Sequence, residues 1–255
     1  GGRGGGGGGG WMPPMSPRAL ASLSLGAYGE KLMQSGQSIG SKYFSGTATK
    51  GYFNVSPSYC ASKLRVVLCP FTLKGSWARI PEQVAGGLTY KPPRNDINAP
   101  DLYLPVVGAV AYAAACGFSA AASGAAQPPE AVHAAATRAL LAWSLKAAGL
   151  WVSLRALATS QVPLHVPLLD LVAYAGYPFA HATCLAVLGT ALGGTAYLAC
   201  LVYAAVASGV FVVKTFKRIL FSEARHYGLD SAKHNYVLLG LAVSQLPYFL
   251  WLSPH

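Results

Sequence analysis

Three observations predict an all-α membrane protein, with five transmembrane helices behind a disordered, cytosolic N-terminal region. Hydrophobic residues make up 53% of the 255 residues and charged ones only 11%, whereas an average soluble domain carries about 25% charged residues. The apolar residues gather after residue 104, in runs that meet the roughly 20 residues a spanning helix needs. The positive charge gathers elsewhere: of 19 Lys and Arg, eleven lie in residues 1–100 and five in the loop 214–235.

Taken in order, residues 1–50 are low in complexity, with a glycine run followed by PPMSP and scattered Gly and Ser. Such a tract cannot bury enough apolar surface to offset chain entropy, so disorder is expected. Within and beside it, Tyr43-Phe44 and Tyr52-Phe53 are candidate anchor points. The opening does not read as a secretory signal, so the first span is expected to act as the insertion signal. Residues 51–103 form a cytosolic juxtamembrane region. There Ser56 can cap a short helix and Pro57 suits its first position. Cys60, Leu64, Val67, Leu68 and Phe71 share one helical face, with Lys63 and Arg65 off it. This pattern predicts an amphipathic helix that either lies on a membrane surface or packs against the bundle. Pro70 ends it, and residues 72–100 read as a loop carrying Trp77, Arg79 and Lys91-Pro92-Pro93-Arg94.

The stretch NDINAPDLYL (95–104) joins the two halves. Pro100 and Pro105 bracket it, and proline is tolerated only in a helix's first turn. Asp101 therefore reads as the cap of the first span, its carboxylate near the unpaired N–H groups. Tyr103 is expected at the polar–apolar boundary.

The membrane domain, 104–252, divides into spans at about 104–123, 134–157, 171–192, 194–213 and 236–252. Gly124–Pro129 breaks the first from the second, and Gly193-Gly194 turns the third into the fourth. The second span holds Arg138 and Arg155 near its ends, where they can snorkel. Lys146 is central and cannot. Pro178 and His181 lie inside the third span, and Pro247 inside the fifth. An odd number of spans puts the termini on opposite sides, and the two basic regions then share a side. The positive-inside rule makes that side cytosolic and the C-terminus lumenal.

These features exclude several functions. The basic residues form no continuous face with interleaved aromatics, so no nucleic-acid partner is expected; the lipid bilayer is the partner they suit. Five cysteines show no CxxC spacing; no disulfide, metal site or cofactor is expected, and Cys69 reads as an inert thiol or an acylation site. No catalytic motif is apparent, so the chain is not expected to be an enzyme. His165 and Asp170 form an H-x-x-x-x-D string found in some acyltransferases, but without an acyl-phosphate site; Asp170 is expected to pair with Arg155 instead. Lys146 is the candidate intramembrane polar residue, either bonded to a neighbouring carbonyl or part of a small transporter or channel with His181 and Gln245.

Lys50-Gly51-Tyr52-Phe53-Asn54-Val55, Tyr59, Lys63-Leu64, Pro70-Phe71 and Trp77-Ala78-Arg79-Ile80 lead into Tyr90 to Pro105, with its DINAPDLY string. Leu168-Leu169-Asp170 and Ala173-Tyr174-Ala175-Gly176-Tyr177 follow in the third span. Over residues 42–252 this series resembles the Yip-interacting factor (Yif) family, within the wider group of Yip-domain membrane proteins. The resemblance implies a non-enzymatic, five-span adaptor of Golgi and endoplasmic reticulum membranes, acting in vesicle transport between them. It implies a Yip-domain membrane protein, Rab-type GTPases and vesicle coat components as partners. The candidate structural or partner-contact residues are Asp96, Asn98, Pro100, Asp101, Tyr103, Pro105, Tyr174, Gly176 and Tyr177. Pro178 and the polyglycine opening depart from the family pattern.

Overall fold

The computed structural model of the chain describes residues 46–72, 76–84, 87–124, 127–157, 166–224 and 231–253. The tract 1–45 with Tyr43-Phe44, the residue His165 and the loop 225–230 lie outside them. Five helical segments are long and apolar enough to cross a membrane: Tyr103–Ser123, Pro128–Leu157, Leu168–Leu188, Gly194–Ile219 and Ala232–Leu252. The fold is thus an all-α membrane bundle, with a small cap at one end.

The cap opens with α1 (Gly46–Tyr52) and α2 (Pro57–Leu68). Residues 46–50, expected to be disordered, are helical, and the end of α1 is tied down by a bond from Leu102 N to Tyr52 O at 3.1 Å. Ser56 caps α2, its Oγ accepting from Tyr59 N at 3.2 Å, with Pro57 at the first helical position. The loop 72–100 is less irregular than the sequence suggests. An antiparallel hairpin, β1 (Pro81–Val84) and β2 (Gly87–Tyr90), sets Pro81 opposite Tyr90. A single 3-10 turn follows at Pro93–Asn95.

Helix α2 is not laid across a surface. It packs against the third and fourth spans, and its buried face is Tyr59, Lys63, Val66 and Val67. Leu64 and Phe71, two members of the expected stripe, are exposed. The stripe was misplaced because Lys63 finds acceptors that no helix-local pattern reveals. Tyr203 Oη donates to Leu68 O at 3.0 Å. Tyr203 lies about 24 Å along its helix from Ile219, at 1.5 Å per residue. The C-terminal end of α2 is therefore held beside the fourth span from two sides, since Lys214 Nζ donates to Pro70 O at 3.0 Å.

The first span is α3 (Tyr103–Ser123), closed by Gly124 at φ 64°, a left-handed conformation suited to glycine. The second, α4 (Pro128–Leu157), starts six residues earlier than expected, because Pro128 and Pro129 fit a first helical turn. The third is two pieces, α5 (Leu168–Gly176) and α6 (Phe179–Leu188). Pro178 has no N–H to offer Tyr174 O, and the helix breaks there. The fourth, α7 (Gly194–Ala224), continues well past Val213. Its lysines end the apolar run and not the helix, since lysine is a good helix former. The fifth comprises α8 (Ser231–Val243) and α9 (Gln245–Leu252). Pro247 withholds the bond that Val243 O would accept, which places that break.

Two layers of core hold the spans together. Tyr112, Phe179, Leu201 and Phe249 pack at the end remote from the cap, where Tyr112 Oη donates to Leu252 O at 2.7 Å. Val66, Val67, Tyr174, Tyr177, Phe211 and Phe216 pack at the cap end, so α2 belongs to the same core as the spans.

Candidate functional site

The residues of the 95–105 stretch meet the third span in one buried junction. Asp101 is 0% exposed. Its Oδ1 accepts from Leu104 N at 2.8 Å, the geometry of an N-terminal cap. Its Oδ2 accepts from Tyr59 Oη at 2.9 Å and from Tyr177 Oη at 2.8 Å. Tyr177 Oη in turn accepts from Asp101 N at 2.9 Å. One carboxylate thus joins α2, α3 and the break in the third span.

Lys63 completes the junction. It is 2% exposed, and its Nζ donates to Ile97 O at 2.7 Å and to Ala99 O at 3.1 Å, with the Tyr177 ring centroid 5.1 Å away. Burial holds its ammonium down to about 8 from an ordinary 10.5, although Asp101 and Asp96 pull the other way. Burial and the neighbouring Asp101 push the Tyr59 hydroxyl well above its ordinary range. Asp96 organises the preceding loop. Its Oδ1 accepts from Asn98 N and its Oδ2 from Ile80 N, both at 2.9 Å. Asn98 Nδ2 donates to Ser76 O and Ala78 O, so the 76–80 segment is clamped against the loop. Pro100 is buried and Tyr103 is 40% exposed.

Gly176 explains why the helices can approach so closely. A Cβ there would stand 2.6 Å from Pro105 Cβ and 2.9 Å from Trp143 Cε2, which a real side chain could not tolerate. Tyr174 stacks beside it, edge-on to Phe216 with centroids 5.5 Å apart. Asp170 pairs with Arg79 at 3.3 Å and accepts from Tyr52 Oη; the expected partner, Arg155, lies instead over the Trp151 ring. The cap supplies the countercharge because Asp170 stands in the first turn of α5, beside the returning chain.

Lys146 is not part of this junction. Its Nζ donates to Gln245 Oε1 at 2.6 Å and lies 4.3 Å from the Tyr248 ring centroid. Ser208 Oγ donates to the same Gln245 oxygen at 3.0 Å. His181 is 3% exposed, and its ring stands edge-on to that of Phe249 with centroids 5.9 Å apart. No group of three or more His, Cys, Asp or Glu placed to hold a metal occurs among the described residues.

A family model described as YIF1 matches residues 18–253, which takes in the cap, the junction and all five spans. The chain belongs to the YIF1 family. It is 29% identical to Protein YIF1B of Danio rerio over 95% of the chain and 78% of that relative. It is 26% identical to Protein YIF1B of Homo sapiens over 90% of the chain and 73% of the relative. The Protein transport protein YIF1 of Saccharomyces cerevisiae is 30% identical over 79% of the chain and 62% of that relative. No solved structure matches.

Of the candidate residues, Asp96, Asn98, Pro100, Asp101, Pro105, Gly176 and Tyr177 converge on the junction, and Tyr174 flanks it. Sequence reasoning left Tyr52, Tyr59, Lys63 and Arg79 off the site, although each bonds or supports one of its carboxylates or carbonyls. The readable signal was a lysine and a tyrosine one helical turn apart, at 59 and 63. Both polar tips take up acceptors from the 97–101 stretch.

Proposed function

We propose that this YIF1-family chain is a non-enzymatic membrane adaptor in protein transport between endoplasmic reticulum and Golgi. It would reside in those membranes with its N-terminus cytosolic and its C-terminus lumenal. The observation that carries the reading is the family match from 18 to 253, joined by the similarity to a yeast relative named as a protein transport protein. The site's chemistry agrees with it. Both Asp101 oxygens are engaged and the side chain is fully buried, so the carboxylate serves as an anchor rather than as a catalyst for a solvent-borne substrate. The cap held by that anchor presents Phe53, Ile80 and Tyr90 on its surface, a set suited to a protein partner. The partners proposed are a Yip-domain membrane protein, Rab-type GTPases and vesicle coat components.

Affinity capture of the tagged full chain from gently solubilised membranes tests this. Recovery of a Yip-domain protein, with a Rab-type GTPase, is the expected result. Recovery of the chain alone from several mild detergents would overturn it.

A further inference from the structure

A groove of about 550 Å³ runs between α4 and the fifth span, and Lys146, Gly149, Gly240, Gln245 and Tyr248 line it. The two helices that form it are the least covered of the five. Only 22% of each apolar window is buried, against 67% for the third span. A Cβ on Gly149 or Gly240 would meet nothing within 4 Å, so the groove's flanks are open and smooth. Small residues of this kind let a second helix backbone approach closely.

The groove also holds an amine with no carboxylate beside it among the described residues. The partners of the Lys146 ammonium are an amide oxygen and an aromatic ring, and neither is a carboxylate. The acidic residues of the five spans are Glu130 and Asp170. Glu130 is about 24 Å away along the same helix, and Asp170 pairs with Arg79. Lys146 lies about 27 Å from Pro128 and about 16 Å from Leu157 along α4. A lipid headgroup at either membrane face would not reach it, whereas a side chain carried on a spanning helix would.

We propose that this groove receives a membrane-spanning helix of a partner protein, which sets a mid-span carboxylate against Lys146. This rests on the adaptor reading and assigns that partner's docking surface.

The test uses the full chain in phosphatidylcholine vesicles, with a photoreactive residue in place of Ser153 at the groove's edge. The probe is a synthetic leucine–alanine spanning helix with one central glutamate, compared with its all-apolar counterpart. At least tenfold more adduct with the glutamate helix is expected. Lys146→Met should erase the difference, and Gly149→Leu should abolish both adducts without disturbing the fold. Equal adducts with the two helices, adducts with lipid alone, or a preference that survives Lys146→Met would each overturn the proposal. If the wild-type chain still captures a Yip-domain protein in that event, the adaptor reading stands and only the groove is lost.

Discussion

Two lysines are drawn into the interior of this molecule, and their surroundings differ. Lys63 is enclosed by the chain's own groups, with two backbone carbonyls, the Tyr177 ring and, nearby, the Asp101 carboxylate. Lys146 has one amide oxygen, one ring and an open groove. A buried polar network stabilises a single arrangement only when each member is satisfied. The junction at Asp101 is such a network, built to hold the cap in one place on the first and third spans. Among the described residues, nothing closes the groove at Lys146. The first region fixes how the cap is presented, and the second keeps an open flank.

The largest effect should come from breaking the junction. Asp101→Ala removes the charged acceptor of Tyr59, Tyr177 and Leu104 N at once, leaving Tyr59 only the Ala99 carbonyl and Tyr177 only a longer bond to the carbonyl of residue 101. Hydrogen bonds to charged groups are worth about 1.5–3 kcal/mol each. A loss of about 3 kcal/mol or more is expected in thermal unfolding in mild detergent. An effect as small as that of a solvent-exposed cap would remove the junction's central role.

Gly176→Ala should be next. Its Cβ collides with Pro105 and Trp143, and overpacking of this kind costs about 1–3 kcal/mol. Gly149→Ala, in open space on α4, serves as its control and should not destabilise.

Lys63 makes the comparison pH-dependent. Its folded-state pKa is lowered to about 8 from 10.5, so between those values the unfolded chain holds a proton that the folded chain has released. Stability therefore rises with pH from about 8 to 10. Above that the buried Tyr59, whose hydroxyl is pushed up, opposes the trend, because unfolding then releases a proton. Lys63→Met should flatten the rise in a pH series of unfolding temperatures, and an unchanged slope would contradict this assignment. The smallest effect belongs to Arg79→Ala. The Arg79–Asp170 pair is partly exposed on the arginine side, and such pairs contribute about 0.2–1 kcal/mol.

The parts legible in sequence are those that depend on one segment at a time. Five apolar runs mark five spans, Pro57 and Ser56 mark the start of α2, and Asp101 between two prolines marks the start of α3. The parts that were not legible depend on what another segment supplies. Lys63 looked like the polar side of a surface helix because the carbonyls that satisfy it come from residues 97 and 99. Asp170 looked like a partner for Arg155 because the sequence does not show that the cap folds back to bring Arg79 beside it. The ends of the second and fourth spans were missed for a different reason. Hydropathy reports where apolar character stops, and both helices extend past that point.

The contrast between a closed junction and an open groove is tested most directly by unfolding Asp101→Ala and Lys146→Met side by side in the same detergent. For a chain of this size, each kcal/mol moves the unfolding temperature by about 2–4 °C. Asp101→Ala should fall by about 6 °C or more, while Lys146→Met should stay within about 1 °C of the parent, because the cost of desolvating the Lys146 ammonium offsets its bond to Gln245. Equal losses in the two variants would contradict the account, since Lys146 would then be as much an internal tie as Asp101.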